Sequence, residues 1–338
     1  MAMNGERKTQ LKTLGLIAFL LFGLTFVLVS ACDSSSTRGT IPGGGDGDSD
    51  SDGDGDSDSD GDGDGDYDFE GNTVVDVPSG YNPDEGDCDN FLRVVFRDFK
   101  ASHPDFERSD LGWGPALGLV QSNLNSDRKP VWKSLWGDAY VADMDCQSTC
   151  PNGGSVDKAE LEGTIYTDQQ SSKASNGPMW TAADTFKEWY TDVDGVNMRI
   201  EKLLVLEEDG SGNYSFNSEY FFPLGDNDGF GFEGQRDANG DERNFLFTTE
   251  VHTKFTYEGG EEFMFSGDDD LWIFVDGELA LDLGGLHWPF RDTIVFDNLG
   301  LTKGETYDMD IFHAERHTEA SNFRIETNIK CFSNIVAE

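Results

Sequence analysis

The 338-residue chain is expected to fold as an all-β protein, an antiparallel sandwich or barrel with a few short helices in insertions. Three observations lead there. Short apolar runs of strand length recur through its second half, and Gly, Asp or Asn turns separate most of them. Aromatic residues, which suit strands, are frequent, while helical stripes are few. Two runs, Phe245-Leu-Phe-Thr-Thr249 and Phe323-Arg-Ile-Glu-Thr-Asn-Ile329, alternate with the period of a half-buried strand.

The strands expected in order are 92–96, 203–206, 219–222, 245–249, 254–257, 262–265, 271–275, 293–296, 307–313 and 322–329. One helix is expected over 181–190. Phe186, Trp189 and Tyr190 fall on one of its faces, and Thr181 with Asp184 resembles a capping box in which Asp replaces Glu.

Upstream of these elements the composition changes twice. Arg7, Lys8 and Lys12 lead into an apolar run over 14–29, which reads as a signal peptide over 1–31. Cys32 directly follows Val29-Ser-Ala31, which resembles the bacterial lipoprotein lipobox. The resemblance implies that Cys32 is lipidated and becomes the first mature residue. The alternative is an uncleaved membrane anchor. Either reading puts the rest outside the cytoplasm, in a bacterial cell envelope, at the outer membrane or the cell surface. Asp33 after the cysteine retains lipoproteins in the inner membrane of some bacteria.

From 43 to 68 the chain is Gly, Ser and Asp, first interrupted by Tyr67, with Asp at every even position from Asp46 to Asp68. Such a segment buries no core, and like charges extend it, so 32–78 reads as a flexible stalk. Its Asp-x-Asp-x-Asp-Gly spacing imitates a calcium loop but lacks the distal Glu and flanking helices of an EF-hand.

The net charge is −42; the leader contributes +2 and residues 33–78 contribute −14, which leaves −30 for 79–338. A body this acidic excludes nucleic-acid binding through phosphate neutralisation. The folded domain is expected over 79–338, its most specific core over 240–330. Besides Cys32 the chain holds Cys88, Cys146, Cys150 and Cys331. In an exported chain an even count favours disulfides. Cys88–Cys331 would tie the domain ends together, and Cys146–Cys150 would staple a loop. Zinc is disfavoured, since no second close Cys or His pair follows Cys150.

The segment Phe263-Met-Phe-Ser-Gly-Asp-Asp-Asp-Leu-Trp-Ile-Phe-Val-Asp-Gly277 carries the chemistry. Three adjacent carboxylates repel one another, and a buried one needs a partner. A hard cation, Ca2+ outside the cell, is one such partner. A tight acidic turn whose carboxylates cap backbone amides is the other reading. Asp276-Gly277 is expected to be a hairpin turn. The glycines after Asp282 are expected to permit positive φ in a bend, with His287 and Trp288 edging a sugar pocket or buried as core.

Asn244-Phe-Leu-Phe-Thr248, the acidic segment, Leu281-Asp-Leu-Gly-Gly-Leu-His287, Phe312-His-Ala-Glu-Arg-His-Thr318 and Ser321-Asn-Phe-Arg-Ile325 together resemble the fibro-slime domain. Arg97-Asp-Phe-Lys-Ala-Ser-His-Pro-Asp-Phe106 and Phe186-Lys-Glu-Trp-Tyr-Thr-Asp-Val-Asp-Gly-Val-Asn197 fit its longer form. The stretch 245–330 is also similar to the β-sandwich of the anthrax protective antigen fragment family. There an Asp-Asp pair is followed about seven residues later by Asp-Gly, as Asp268-Asp269 is by Asp276-Gly277. In flocculin-type lectins of that family an Asp-Asp pair joined by a cis peptide holds Ca2+, which contacts sugar hydroxyls. The resemblance implies Asp268 and Asp269 as main ligands, Asn322 as the later Asn ligand, and Asp270 as an added carboxylate that joins the site or faces solvent.

The expected function is therefore surface-anchored, Ca2+-dependent binding of an extracellular polysaccharide or glycoprotein, without catalysis, for adhesion or matrix attachment. One alternative is a structural protein-interaction domain without metal. Another is an enzyme, a glycosidase or a metalloenzyme built on His313, Glu315 and His317, which would share one face if their strand ran on. No Gly-x-Ser-x-Gly or His-Glu-x-x-His motif occurs.

Overall fold

The computed structural model describes residues 72–81, 90–107, 110–141, 156–157, 165–167, 177–318 and 320–335. The leader, Cys32, most of the stalk, and Cys88, Cys146 and Cys150 lie outside these residues, so both expected disulfides stay proposals.

In chain order the strands are β1 (Thr73–Asp76), β2 (Phe91–Phe99), β3 (Ala116–Leu117), β4 (Ala139–Val141), β5 (Val156–Asp157), β6 (Ile165–Thr167), β7 (Asn197–Val205), β8 (Glu207–Glu208) and β9 (Tyr214–Ser218). They continue with β10 (Phe247–Thr256), β11 (Glu262–Gly267), β12 (Asp270–Val275), β13 (Glu278–Leu283), β14 (Phe290–Val295), β15 (Thr306–Glu315), β16 (Phe323–Thr327) and β17 (Ser333–Asn334). The all-β expectation holds. A large antiparallel sheet has the order β1-β7-β2-β10-β15-β12-β13, with β17 also on β10. A smaller one runs β5-β14-β11-β16-β9-β8, antiparallel except for the β14–β5 contact. A minor sheet joins β3, β4 and β6.

Alternation makes the sandwich. Phe96, Phe247, Ile273 and Ile311 from the large sheet share one core with Phe216, Phe263, Phe265, Ile294 and Phe323 from the smaller. Each such buried side chain contributes about 1.5–3 kcal/mol. The intervening residues of the large sheet are also buried. Trp272, Phe274 and Phe312 pack under Phe106, Trp180, Phe186 and Trp189 from the inserted segments. Strands covered on both faces lose their simple polar alternation.

Several boundaries differ from expectation. The runs 245–249 and 254–257 lie largely on one strand, β10, because the polar residues between them are buried on the covered face. The run 219–222 is not a strand; Tyr220 makes a single bridge to Ser321. The helix is shorter than expected, α1 (Ala183–Lys187) followed by a 3-10 turn, Glu188–Tyr190. Its entry uses Ala182, whose N–H donates to Thr185 Oγ1 at 3.2 Å, while Thr181 Oγ1 donates to the Pro104 carbonyl. Asp276-Gly277 is the expected hairpin turn, with φ of +51° and +78°.

Candidate functional site

Three segments cross between the two sheets at one end of the sandwich. Asp268 and Asp269 link β11 to β12, residues 284–289 link β13 to β14, and residues 316–322 link β15 to β16. The register explains why these corners meet. Gly267 pairs with both Phe290 and Phe323, and Asp270 pairs with Ala314. Asn322 therefore stands beside Asp268, and Glu315 beside Asp269.

Hydrogen bonds stitch the corners together. Asp268 N donates to the Asn322 carbonyl at 3.2 Å and Asp269 N to the His287 carbonyl at 3.1 Å. Asp269 sits at φ +59°, a left-handed conformation costly for a residue other than glycine. Asp268 Oδ2 accepts from Asn322 N at 3.0 Å and Asn322 Nδ2 at 2.7 Å. Asp269 accepts from His287 N at 3.3 Å and from Arg316 N at 2.8 Å. Asp268 Oδ1 and Glu315 Oε2 are buried with no partner.

A pocket of about 110 Å³ brings together Asp268, Asp269 and Glu315 with His287, Trp288, His317 and Trp113. Burial pushes the Asp268 carboxyl up to about 8, helped by the charge of Asp269. Burial raises Asp269 to about 6, against the opposing pull of Arg316. Glu315 is raised well above the carboxylate range by burial and then by both aspartates. Such a set binds protons or a cation. The orphaned Asp268 oxygen and the all-oxygen donors fit a hard cation. Among the described residues no group of three His, Cys, Asp or Glu is arranged to hold a metal. A cation here would rest on the aspartate pair and on amide or carbonyl oxygens. Asn322 approaches Asp268 through Nδ2, so serving as a ligand requires its amide to turn over.

Asp270 does not join this group, and it does not face solvent. As the first residue of β12 it shares the outward face with Trp272, and its side chain is fully buried. Its Oδ1 accepts from Gly285 N at 2.8 Å and its Oδ2 from Arg316 Nε at 2.7 Å. His287 lies beneath the pocket with its ring nitrogens against the carbonyls of Trp288 and Leu283, which leaves Trp288 nearer the rim. His313, Glu315 and His317 do not form a shared metal face. The strand ends at Glu315, and His313 packs among Phe221, Phe247, Phe265 and Phe323 in the core.

Trp113 is not among the site residues expected from the sequence. Trp113 stands edge to face with Trp288 at 5.9 Å and with His317 at 5.7 Å between ring centroids. Its Gly-Trp-Gly setting has no periodicity to mark it. A larger cavity of about 690 Å³ lies elsewhere, against Arg97, Arg128, Lys129, Tyr190 and His252. Its cations are already paired: Arg97 and Lys129 with Glu250, and Arg128 with Asp310.

Residues 232–333 match the PA14 domain, whose fold is a β-sandwich. The match takes in Asp268, Asp269 and Asn322 and leaves out Trp113. The chain is 40% identical to protein psiC of Dictyostelium discoideum over 242 residues, 70% of this chain and 40% of that protein. It is 35% identical to protein psiD of the same organism over 229 residues, 67% of this chain and 38% of that protein. The chain thus spans about two fifths of the length of these curated relatives. Among solved structures, a PA14 sugar-binding domain from an RTX adhesin is 18% identical, over 27% of this chain and 50% of that one, with a TM-score of 0.19.

Proposed function

We propose that this chain displays a Ca2+-dependent glycan-binding module on a lipid-anchored stalk. The observation that carries the reading is the buried, unpartnered Oδ1 of Asp268, a residue that lines a small pocket with two further carboxylates and an aromatic rim. Asp268 and Asp269 would hold the ion, with the amide of Asn322 turned to offer its oxygen. Bound Ca2+ supplies the positive charge that keeps the pair ionised and orders vicinal hydroxyls of a sugar. The Arg316 and His287 backbone amides hold Asp269 in place. The match to the PA14 domain supports the sugar-binding part of this reading. Lipidation at Cys32 supplies the anchor, and extracellular polysaccharide or glycoprotein is the partner.

A second reading has its own observation. The amides of Asn322, His287 and Arg316 all donate to the Asp268–Asp269 carboxylates, as in a purely architectural acidic corner. Calorimetric titration of the full chain with Ca2+ separates the two. Saturable binding that disappears in Asp268→Ala/Asp269→Ala supports the lectin reading. No heat from a folded wild type supports the architectural one.

A further inference from the structure

The pocket is too small for a sugar. At about 110 Å³ it has room for roughly three or four waters rather than for a whole pyranose. On the glycan reading, an ion and the hydroxyls it orders would take up the pocket, and the ring would lie outside, against the rim. The residues on that rim decide what the ring meets.

Trp113 is the exposed aromatic there, at 39% of its surface. It is not a loosely held side chain. Gly112 N donates to the Pro178 carbonyl at 2.7 Å, and Gly114 N to the Leu286 carbonyl at 2.6 Å. Two residues on, Ala116 N donates to the Gly284 carbonyl at 2.6 Å. This close approach is possible only because residues 284 and 285 are glycines. A Cβ on Gly285 would stand 2.4 Å from the Gly114 carbonyl oxygen, and one on Gly284 would stand 2.9 Å from that of Ala116. Asp282 adds a further tie, accepting from Gly118 N at 2.7 Å. The Trp113 ring is then fixed from the side by Trp288 and His317. A rigid, half-exposed indole beside a polar pocket is preorganised for the C–H face of a sugar ring.

We propose that Trp113 is the stacking platform for the pyranose whose hydroxyls enter the Asp268–Asp269 pocket. This rests on the glycan reading above and deepens it. The ligand is a pyranoside that combines a vicinal hydroxyl pair with an adjoining continuous C–H face. Selectivity among sugars then comes from the inserted segment around Trp113, outside the 232–333 region.

The test compares wild type, Trp113→Ala and Trp113→Phe as full chains, on a glycan array in Ca2+ and by calorimetry with Ca2+ alone. The expected result is about a tenfold or greater loss of glycan affinity in Trp113→Ala. Trp113→Phe should recover much of it, and Ca2+ affinity should be unchanged in both. Unchanged glycan affinity in Trp113→Ala overturns the platform while leaving the lectin reading standing. Parallel loss of Ca2+ affinity also overturns it, in favour of a role in shaping the pocket. A wild type that binds no glycan in Ca2+ removes the lectin reading and the platform together.

Discussion

Arg316 and Asp270 form an ion pair in which neither side chain is exposed, with Nε and Nη2 2.7 and 2.6 Å from Asp270 Oδ2. Arg316 Nη1 also donates to the carbonyls of Met179 and Asp105, and the guanidinium lies 4.9 Å over the Trp189 ring. One side chain thus ties the acidic corner to the segments covering the outer face. Breaking such a pair leaves an uncompensated buried charge and costs about 3–5 kcal/mol. Arg316→Met is expected to lower stability by that order in denaturant unfolding. Arg316→Met/Asp270→Leu should recover part of the loss. A single variant as stable as wild type would show that the pair is dispensable.

The pocket carboxylates give stability a pH dependence with a definite sign. Asp268 titrates near 8 in the folded protein and near its ordinary value of 3.8 when unfolded. Between those values the folded state holds the extra proton, so stability falls as pH rises. His313 acts oppositely. Burial lowers it to about 3 from 6.5, so the unfolded chain holds the extra proton between those values and stability rises with pH there. From pH 6.5 to 8 only the first of these two effects remains. The cation-free protein should show a falling Tm across that window. Millimolar Ca2+ should reduce the fall, and Asp268→Asn should lessen it, leaving the contributions of Glu315 and His252, whose folded values are also raised. A flat wild-type profile, insensitive to Ca2+, would count against the cation site.

Gly285 is under a double constraint. Its φ is +107°, and an added Cβ would press on the Gly114 carbonyl. Gly285→Ala should cost about 1–3 kcal/mol from backbone conformation alone, and more from displacing the Trp113 segment. Thermal melting with and without glycan checks this. Binding should weaken along with stability. Wild-type melting would mean that the 113–116 segment yields freely.

Much of the fold was legible because periodicity and turn residues act locally. Asp276-Gly277 follows from the left-handed tolerance of Gly and Asp, β16 from alternation, and β11 and β12 from short apolar runs between turn residues. What escaped depends on distant partners. Glu278-Leu-Ala-Leu-Asp-Leu283 alternates, but its Asp-Leu-Gly-Gly ending drew it into a bend. The aspartate triplet was legible as an acidic site, yet its division was not. Which face Asp270 takes is set by the switch of sheets at Asp269, and that switch shows only in three dimensions. Asn322 was reachable through resemblance alone. Trp113 reaches the rim through contacts with distant parts of the chain, Leu286 and Trp288 among them.

The contact between Arg316 and the Asp105 carbonyl spans 211 positions of the chain. Closing loops of that length costs entropy before any contact offsets it, so pairings of this kind are slow to form. A growing chain presents Asp105 well before β15 and β16 exist. The acidic corner is thus among the late structures to appear during folding. A chain truncated before residue 316 would carry all three aspartates without the Arg316 and Asn322 donors that hold them. Any cation affinity at this corner would then report on completed folding rather than on the acidic segment alone.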